Sequence, residues 1–337
     1  MLKIYSPSGQ EDKLVSFLRP VMEDLGFRTR KDKVGNLFGK AGSGDPKVLL
    51  LGHLDTVEGE IPVKEEDGKI YGRGSVDAKS PLAAFIGAGS QFVESTTMEV
   101  TVVGVVEEET SSRGAYEVVD KLAPDYVVVG EPSGWRGITL GYRGSIRLSY
   151  SNTAPKTHRG EGSSLPAEEA VLFFNQLKDT INSSGTSGFN STEVHIDDIE
   201  TDSGPFQDSV EMILDIRTSP GFDREILDDF IDQTTGNASI ETTRHIPPVR
   251  SSKRSMLVSA FIGGIRNAGG TPSFKLKTGT ADMNILAEHW NAPIIAYGPG
   301  DSSLDHTPNE HLELEELALA REVLVDSLNR LQGTADN

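Results

Sequence analysis

Four short runs of Val, Leu and Ile, each closed by a polar residue, constrain this chain more than any other feature. They are KVLLLGH (47–53), EVTVVGVVEEE (99–109), DYVVVGE (125–131) and APIIAYGPGD (292–301). A strand with one face in water alternates apolar and polar residues. A near-continuous apolar strand is buried on both faces, as in a parallel sheet covered by helices. Helical patterns fall between the runs. In SGQEDKLVSFLRPVMEDLGF, Leu14, Leu18, Val21 and Leu25 are expected on one helical face, with Pro20 inside and Gly26 as the stop. Ser80 is read as an N-cap and Pro81 as the first residue of a helix to about Phe92, and SSRGAYEVVDKL and LEELALAREVLVDSLNRL supply two more. This alternation predicts an α/β domain with a mainly parallel sheet.

The middle of the chain has a different rhythm. SIRLSYS, LPAEEAVLFFNQLKDTI, STEVHIDDIE, SVEMILDIRTS, DREILDDFIDQT and SIETTRHI read as β-α-β-β-α-β, the order of a ferredoxin-like α+β unit. The first pattern resumes after it, so the unit is expected as an insertion at 144–249 in a discontinuous domain of 1–143 and 250–337. A chain of 337 residues is long enough for two cores.

Acidic residues outnumber basic ones 51 to 32, giving a formal charge of −19. That argues against nucleic acid or an anionic membrane as partner. There is no cysteine, so disulfides and thiolate metal sites are excluded and any metal must be held by His, Asp and Glu. No run approaches the roughly 20 apolar residues of a membrane span, and MLKIYSPSGQEDK lacks the apolar stretch of a signal peptide. A cytoplasmic location is expected.

In open α/β sheets ligands bind beyond the carboxyl ends of the strands. His53, the pair Glu108 and Glu109, Glu131 and, a little further on, His306 all follow the apolar runs, and Asp77 in YGRGSVDAKSP can reach the same rim. Each has a plain reading as well: a capped or solvated strand end for His53, a turn cap for Asp77, a solvated charge run for Glu107 to Glu109, a turn residue for Glu131, a surface loop for His306. Three like charges directly after an apolar strand repel one another unless a cation neutralises them. One shared site explains all five positions more economically. Two imidazoles and several carboxylates suit Zn²⁺ or a similar divalent ion, and suffice for two ions if one carboxylate bridges. Asp55, two residues beyond His53, is placed to orient a metal-bound imidazole.

GHLDTV, GRGSVDAK, EEET, GEPS and LDHTPNEH occur in the order and approximate spacing of the M20 metallopeptidase and amidohydrolase family, which the chain resembles over nearly its whole length. The resemblance implies a dinuclear-metal hydrolase domain with an inserted lid and dimerisation domain. It implies that His53, Asp77 and Glu131 hold one ion and Asp77, Glu109 and His306 the other, with Asp55 orienting His53 and Glu108 as general base. On the residues alone Glu108 and Glu109 are interchangeable. SNTAPKTHRGEG is similar to the family segment whose His donates to the oxyanion, which marks His158; because the segment departs from the commoner form, a share of that work for Arg159 and a plain surface reading of His158 both stay open.

LKTGTADMNIL and GPGDSSLDHTPNEH resemble the branch that releases lysine or ornithine from the amino-group carrier protein (LysK type), in lysine and, in some archaea, arginine biosynthesis. Lys277, Asp282 and Asn284 would then contact the substrate; the plain reading of this stretch is a helix start capped by Thr280 or Asp282. Such a substrate is a small acidic protein, which a chain of charge −19 repels unless a basic surface meets it. Arg250, Lys253 and Arg254 at one junction of the inserted unit, and Arg143, Arg147, Lys156 and Arg159 near the other, are the candidates, with plain solvated charge as the alternative reading. The resemblance also implies two divalent ions per subunit, Zn²⁺ foremost with Co²⁺ or Mn²⁺ accepting the same donors, and a homodimer. Deacylation of small N-acyl amino acids such as acetylornithine or succinyl-diaminopimelate, and carboxypeptidase action, stay open. So does a noncatalytic metal-dependent binding paralogue, which would not need Glu108.

Overall fold

The computed structural model describes residues 1–156, 164–182, 187–234 and 236–333. The chain forms two compact units, Met1–Gly141 with Arg250–Leu276 and Ala281–Asn337, and Tyr142–Val249 with Lys277–Thr280. The residues at 277–280 join the second unit because Arg143 ties them there: its backbone N–H donates to the Lys277 carbonyl and its Nε to that of Thr278.

The first unit is built on a nine-stranded sheet in the order Arg28–Lys31, Leu37–Ser43, Met98–Val105, Lys47–His53, Tyr126–Val129, Ile294–Ala296, Gly137–Tyr142 and Val249–Arg250, with Ser273–Lys277 also paired to Gly137–Tyr142. The four apolar runs are its centre and pair in parallel, with Leu51 opposite both Val103 and Val129, and Ile295 opposite Val128. Around them the ladders are antiparallel: Phe38 pairs Val103, Thr29 pairs Gly39 and Ala296 pairs Thr139. The sheet is therefore mixed, and the expectation of a mainly parallel one holds only for its centre. Antiparallel neighbours can be joined by short loops and need no helical crossover, so they leave no long apolar run in the sequence.

Helices cover the central strands. Leu50, Val102 and Val128 pack with Phe85, Phe261 and Leu324 in one fully buried core. Burying a side chain such as Phe85 contributes roughly 1.5–3 kcal/mol. Two helix readings are corrected. The helix expected to begin at Ser80 spans Lys79–Gly89, with Pro81 inside its first turn, where a missing N–H costs nothing. In Asp12–Asp24 the buried face is Leu14, Val15, Leu18 and Met22, while Val21 and Leu25 are exposed. Among the described residues no helix is long and apolar enough to cross a membrane.

The second unit contains Gly144–Pro155, the helix Pro166–Ile181, Glu193–Ser203, Gln207–Thr218, the helix Arg224–Gln233 and Ser239–Ile246. Its sheet order is Glu193–Ser203, Gln207–Thr218, Gly144–Pro155, Ser239–Ile246, antiparallel throughout. Ile146, Leu148 and Tyr150 alternate inward and meet Phe173 and Leu177 of the first helix and Leu227 of the second.

Candidate metal centre

Parallel strands deliver their carboxyl ends to one edge, and that edge is where the candidate ligands meet. His53 ends Lys47–His53, Glu108 and Glu109 follow Met98–Val105, and Glu131 follows Tyr126–Val129. Close approach of two of these ends requires glycine: a Cβ on Gly130 would lie 3.2 Å from the Gly52 Cα and 3.0 Å from Phe85. Asp77 arrives from the turn before Lys79–Gly89, and His306 from the loop between Ser302–Leu304 and His311–Glu313.

Asp77 turns one carboxylate oxygen to each imidazole. Its Oδ1 is 3.1 Å from His53 Nε2 and its Oδ2 3.1 Å from His306 Nε2. His306 Nε2 also lies 3.1 Å from Glu109 Oε2. His53, Asp77 and Glu109 each offer a ligand atom within 4.8 Å of the others. His53 is 1% exposed and its Nδ1 faces Asp55, whose backbone carbonyl at 3.0 Å is nearer than its carboxylate Oδ1 at 3.4 Å. The Asp55 carboxylate has further work: Oδ1 accepts the Glu108 backbone N–H, and Oδ2 accepts that of Glu109 and the Ser8 hydroxyl. One residue thus holds the imidazole and the backbones of both glutamates.

The acidic triplet divides. Glu107, in a left-handed backbone at φ 58°, turns away and accepts from Ser111 and Arg113. Glu109 faces His306. Burial, then the charges of Asp282 and Glu131, push Glu108 well above the usual carboxylate range. Glu109 is raised by burial against the opposing hydrogen bond to His306. Burial works to raise Asp77 too, but hydrogen bonds from His306 and His53 hold it well below the usual range. His306, hydrogen-bonded to Asp77 and Glu109, is pushed up to about 10. Burial opposes protonation of His53, yet bonds to Asp55 and Asp77 raise it well above its ordinary value.

These residues fit a divalent cation. Glu109 Oε1 is buried without a hydrogen-bond partner, and imidazole nitrogens and carboxylate oxygens are the donors Zn²⁺, Co²⁺ and Mn²⁺ accept.

The other expected residues are more dispersed. Asp282 is 1% exposed, and its charge reaches Glu108. The Asn284 side-chain oxygen accepts the Ala281 N–H and caps the helix Asp282–His289. Lys277 belongs to the second unit, where its ammonium lies 5.8 Å from the Tyr142 ring. His158 and Arg159 lie outside the described residues. Arg250 and Arg254 are exposed. Arg143 is not a surface charge: it is buried and donates to the carbonyls of Ser191 and Thr278 and to the Glu193 carboxylate. The sequence reading missed Glu310, fully buried behind the turn that carries Asp77, and Lys79, whose Nζ donates to the Ile4 carbonyl and whose pKa burial lowers to about 8. The only sequence signal for Glu310 is its place four residues after His306.

Known proteins match this architecture and these segments. A [LysW]-lysine hydrolase from Deinococcus radiodurans is 38% identical over 344 residues, covering 98% of this chain and 95% of its own. A [LysW]-lysine/[LysW]-ornithine hydrolase from Sulfurisphaera tokodaii is 30% identical over 336 residues, covering 98% and 93%. In fold, the chain is similar to a Staphylococcus aureus tripeptidase, with a TM-score of 0.79 at 19% identity over 98% of this chain and 96% of that one. The profile of peptidase family M20/M25/M40 matches residues 49–330, and the chain belongs to that family.

Proposed function

We propose that the chain is a dinuclear-metal amide hydrolase that releases L-lysine, L-ornithine or both from the C-terminal Glu of an acidic amino-group carrier protein. The observation that carries the hydrolase reading is the convergence of His53, Asp77, Glu109 and His306 beside Glu108, a buried carboxylate whose proton affinity is raised. The substrate reading rests on relatives similar over nearly the whole chain, a [LysW]-lysine hydrolase and a [LysW]-lysine/[LysW]-ornithine hydrolase.

In this reading His53, Asp77 and Glu131 would hold one ion and Asp77, Glu109 and His306 the other, with Zn²⁺ as the first candidate. Bound there, the ions would supply the positive charge that acidifies a water and polarises the amide carbonyl. Glu108 takes the water's proton as the new C–O bond forms, and returns it to the nitrogen as the C–N bond breaks, leaving a free amine and the carrier's carboxylate. Its raised proton affinity suits a group that must first accept and then deliver. Asp55, gripping the Glu108 and Glu109 backbones, holds base and ligand in register. His158 is assigned to the oxyanion, and Lys277, Asp282 and Asn284 to the substrate's charged ends. The second unit is assigned as lid and homodimer contact, and Arg250 and Arg254 as the landing place of the acidic carrier.

The test is release of free amino acid from lysine-loaded and ornithine-loaded carrier, with and without chelator, beside N-acetyl-lysine and acetylornithine. Chelator-sensitive release from the carriers, much faster than from the acetyl compounds, is expected. Preference for the acetyl compounds would instead make the chain a small-substrate deacylase, and no release from any of them would make it a binding paralogue.

A further inference from the structure

The geometry points to Glu310 and Arg73 as positioning residues that lock Asp77 and His306 into one preformed pair of ligands. This rests on the reading of Asp77 and His306 as ligands, and it concerns side chains that reading does not use.

Asp77 and His306 are more than 200 residues apart in sequence, and each sits on irregular backbone. His306 has φ 61°, a left-handed conformation uncommon for a residue with a side chain. The segment 306–313 is joined to the segment 69–77 by backbone pairing. His311 pairs with Tyr71 and Glu313 with Lys69 in an antiparallel ladder, and the Gly72 N–H donates to the Glu310 carbonyl at 3.3 Å. At the end of this ladder the Glu310 side chain crosses over. Its Oε1 accepts the backbone N–H groups of Val76 at 2.8 Å and of Asp77 itself at 3.1 Å, while Oε2 accepts Arg73 Nη1 at 2.9 Å. Arg73 returns the connection through Nη1 to the Thr307 carbonyl, directly after His306, and through Nε to that of Gly59.

Glu310 is 0% exposed and Arg73 8%. A carboxylate so deeply buried carries a desolvation penalty that only full pairing offsets, and this one has at least three donors on its two oxygens. An apolar pair of similar volume would serve packing alone equally well. The buried ion pair adds direction: it takes hold of the peptide N–H of one candidate ligand and the peptide carbonyl beside the other. The result is that the Asp77 carboxylate is held 3.1 Å from the His306 imidazole.

Outer partners that orient ligands typically account for about 10- to 100-fold in metal affinity. Glu310→Gln keeps the shape and an acceptor for the two N–H groups but opposes Arg73 with an amide. It is expected to raise the Co²⁺ dissociation constant of the full-length protein about 10- to 100-fold, to alter the visible cobalt absorption that reports ligand geometry, and to lower kcat more than it raises KM. Arg73→Gln, which leaves the carboxylate in place but free to swing, is expected to shift the same three readouts in the same direction and stands in if Glu310→Gln does not fold. A folded variant whose cobalt affinity and spectrum stay within about twofold of wild type, even with lowered thermal stability, would overturn the inference alone. Wild-type protein that took up no cobalt would overturn the metal reading and this inference with it.

Discussion

Buried charges in the two units are balanced differently. Among the described residues of the second unit the buried charges have counterparts: Arg143 meets the Glu193 carboxylate and the carbonyls of Gly188, Ser191 and Thr278, and Asp215 meets Ser145 and Arg217. At the rim of the first unit Asp55, Asp77, Glu108, Glu109, Glu131 and Asp282 crowd together with two imidazoles, and one Glu109 oxygen has no hydrogen-bond partner. Balanced burial serves a fold. Surplus buried negative charge opposes folding unless a cation offsets it, and so it marks the place where a ligand belongs.

If that contrast is right, substitutions in the two regions should fail differently. The largest effect is expected from Glu108→Gln, which should lower kcat by about 10²- to 10⁴-fold while metal content, measured by elemental analysis, stays near wild type. Full activity in that variant would remove the base from the mechanism.

Next in size is a pH effect confined to the metal-free rim. His306, raised from about 6.5 to about 10, contributes stability that is complete below its unfolded pKa and disappears as pH rises through its folded one. Melting temperature of chelator-treated protein should therefore fall between about pH 6.5 and about pH 10. Saturating Zn²⁺ should flatten the decline, because the ion takes over the proton's role, and identical profiles with and without metal would contradict the balance described.

In the second unit, Asp215→Asn removes a charge bonded to Ser145 and Arg217 and should cost about 1–3 kcal/mol in denaturant unfolding, with metal content unchanged. A change in metal content would erase the distinction between the two regions. The smallest effect is expected at the surface. Reversing Arg250 and Arg254 to Glu should raise KM severalfold for carrier-bound lysine and spare small acyl-lysines, since exposed charges mainly tune encounter. Equal shifts for both substrates would sink the docking role.

Much of this was legible in the chain itself. The four apolar runs are the four central parallel strands, and the polar residues that close them converge because parallel strands end together. Period and apolar content also carry the β-α-β-β-α-β order of residues 144–246. The antiparallel flanks were not legible, for strands such as Arg28–Lys31 have exposed side chains and no apolar signature. Nor was the bracing. Asp55 holds Glu108 and Glu109 from over 50 residues away, and Glu310 holds Asp77 from over 230, through backbone N–H groups that exist at every position whatever the residue. Nor does residue type alone distinguish Glu108 from Glu109: the left-handed turn at Glu107 is a local backbone detail, and Glu109 is the one that lies against His306.

The most direct test of the account is the number of ions the chain holds. After equilibration with Zn²⁺ and dialysis, elemental analysis should find two ions per wild-type chain and at most one in Asp77→Asn, which loses the carboxylate that faces both imidazoles. A wild-type chain that retains no metal, or an Asp77→Asn chain that retains both ions, would contradict it.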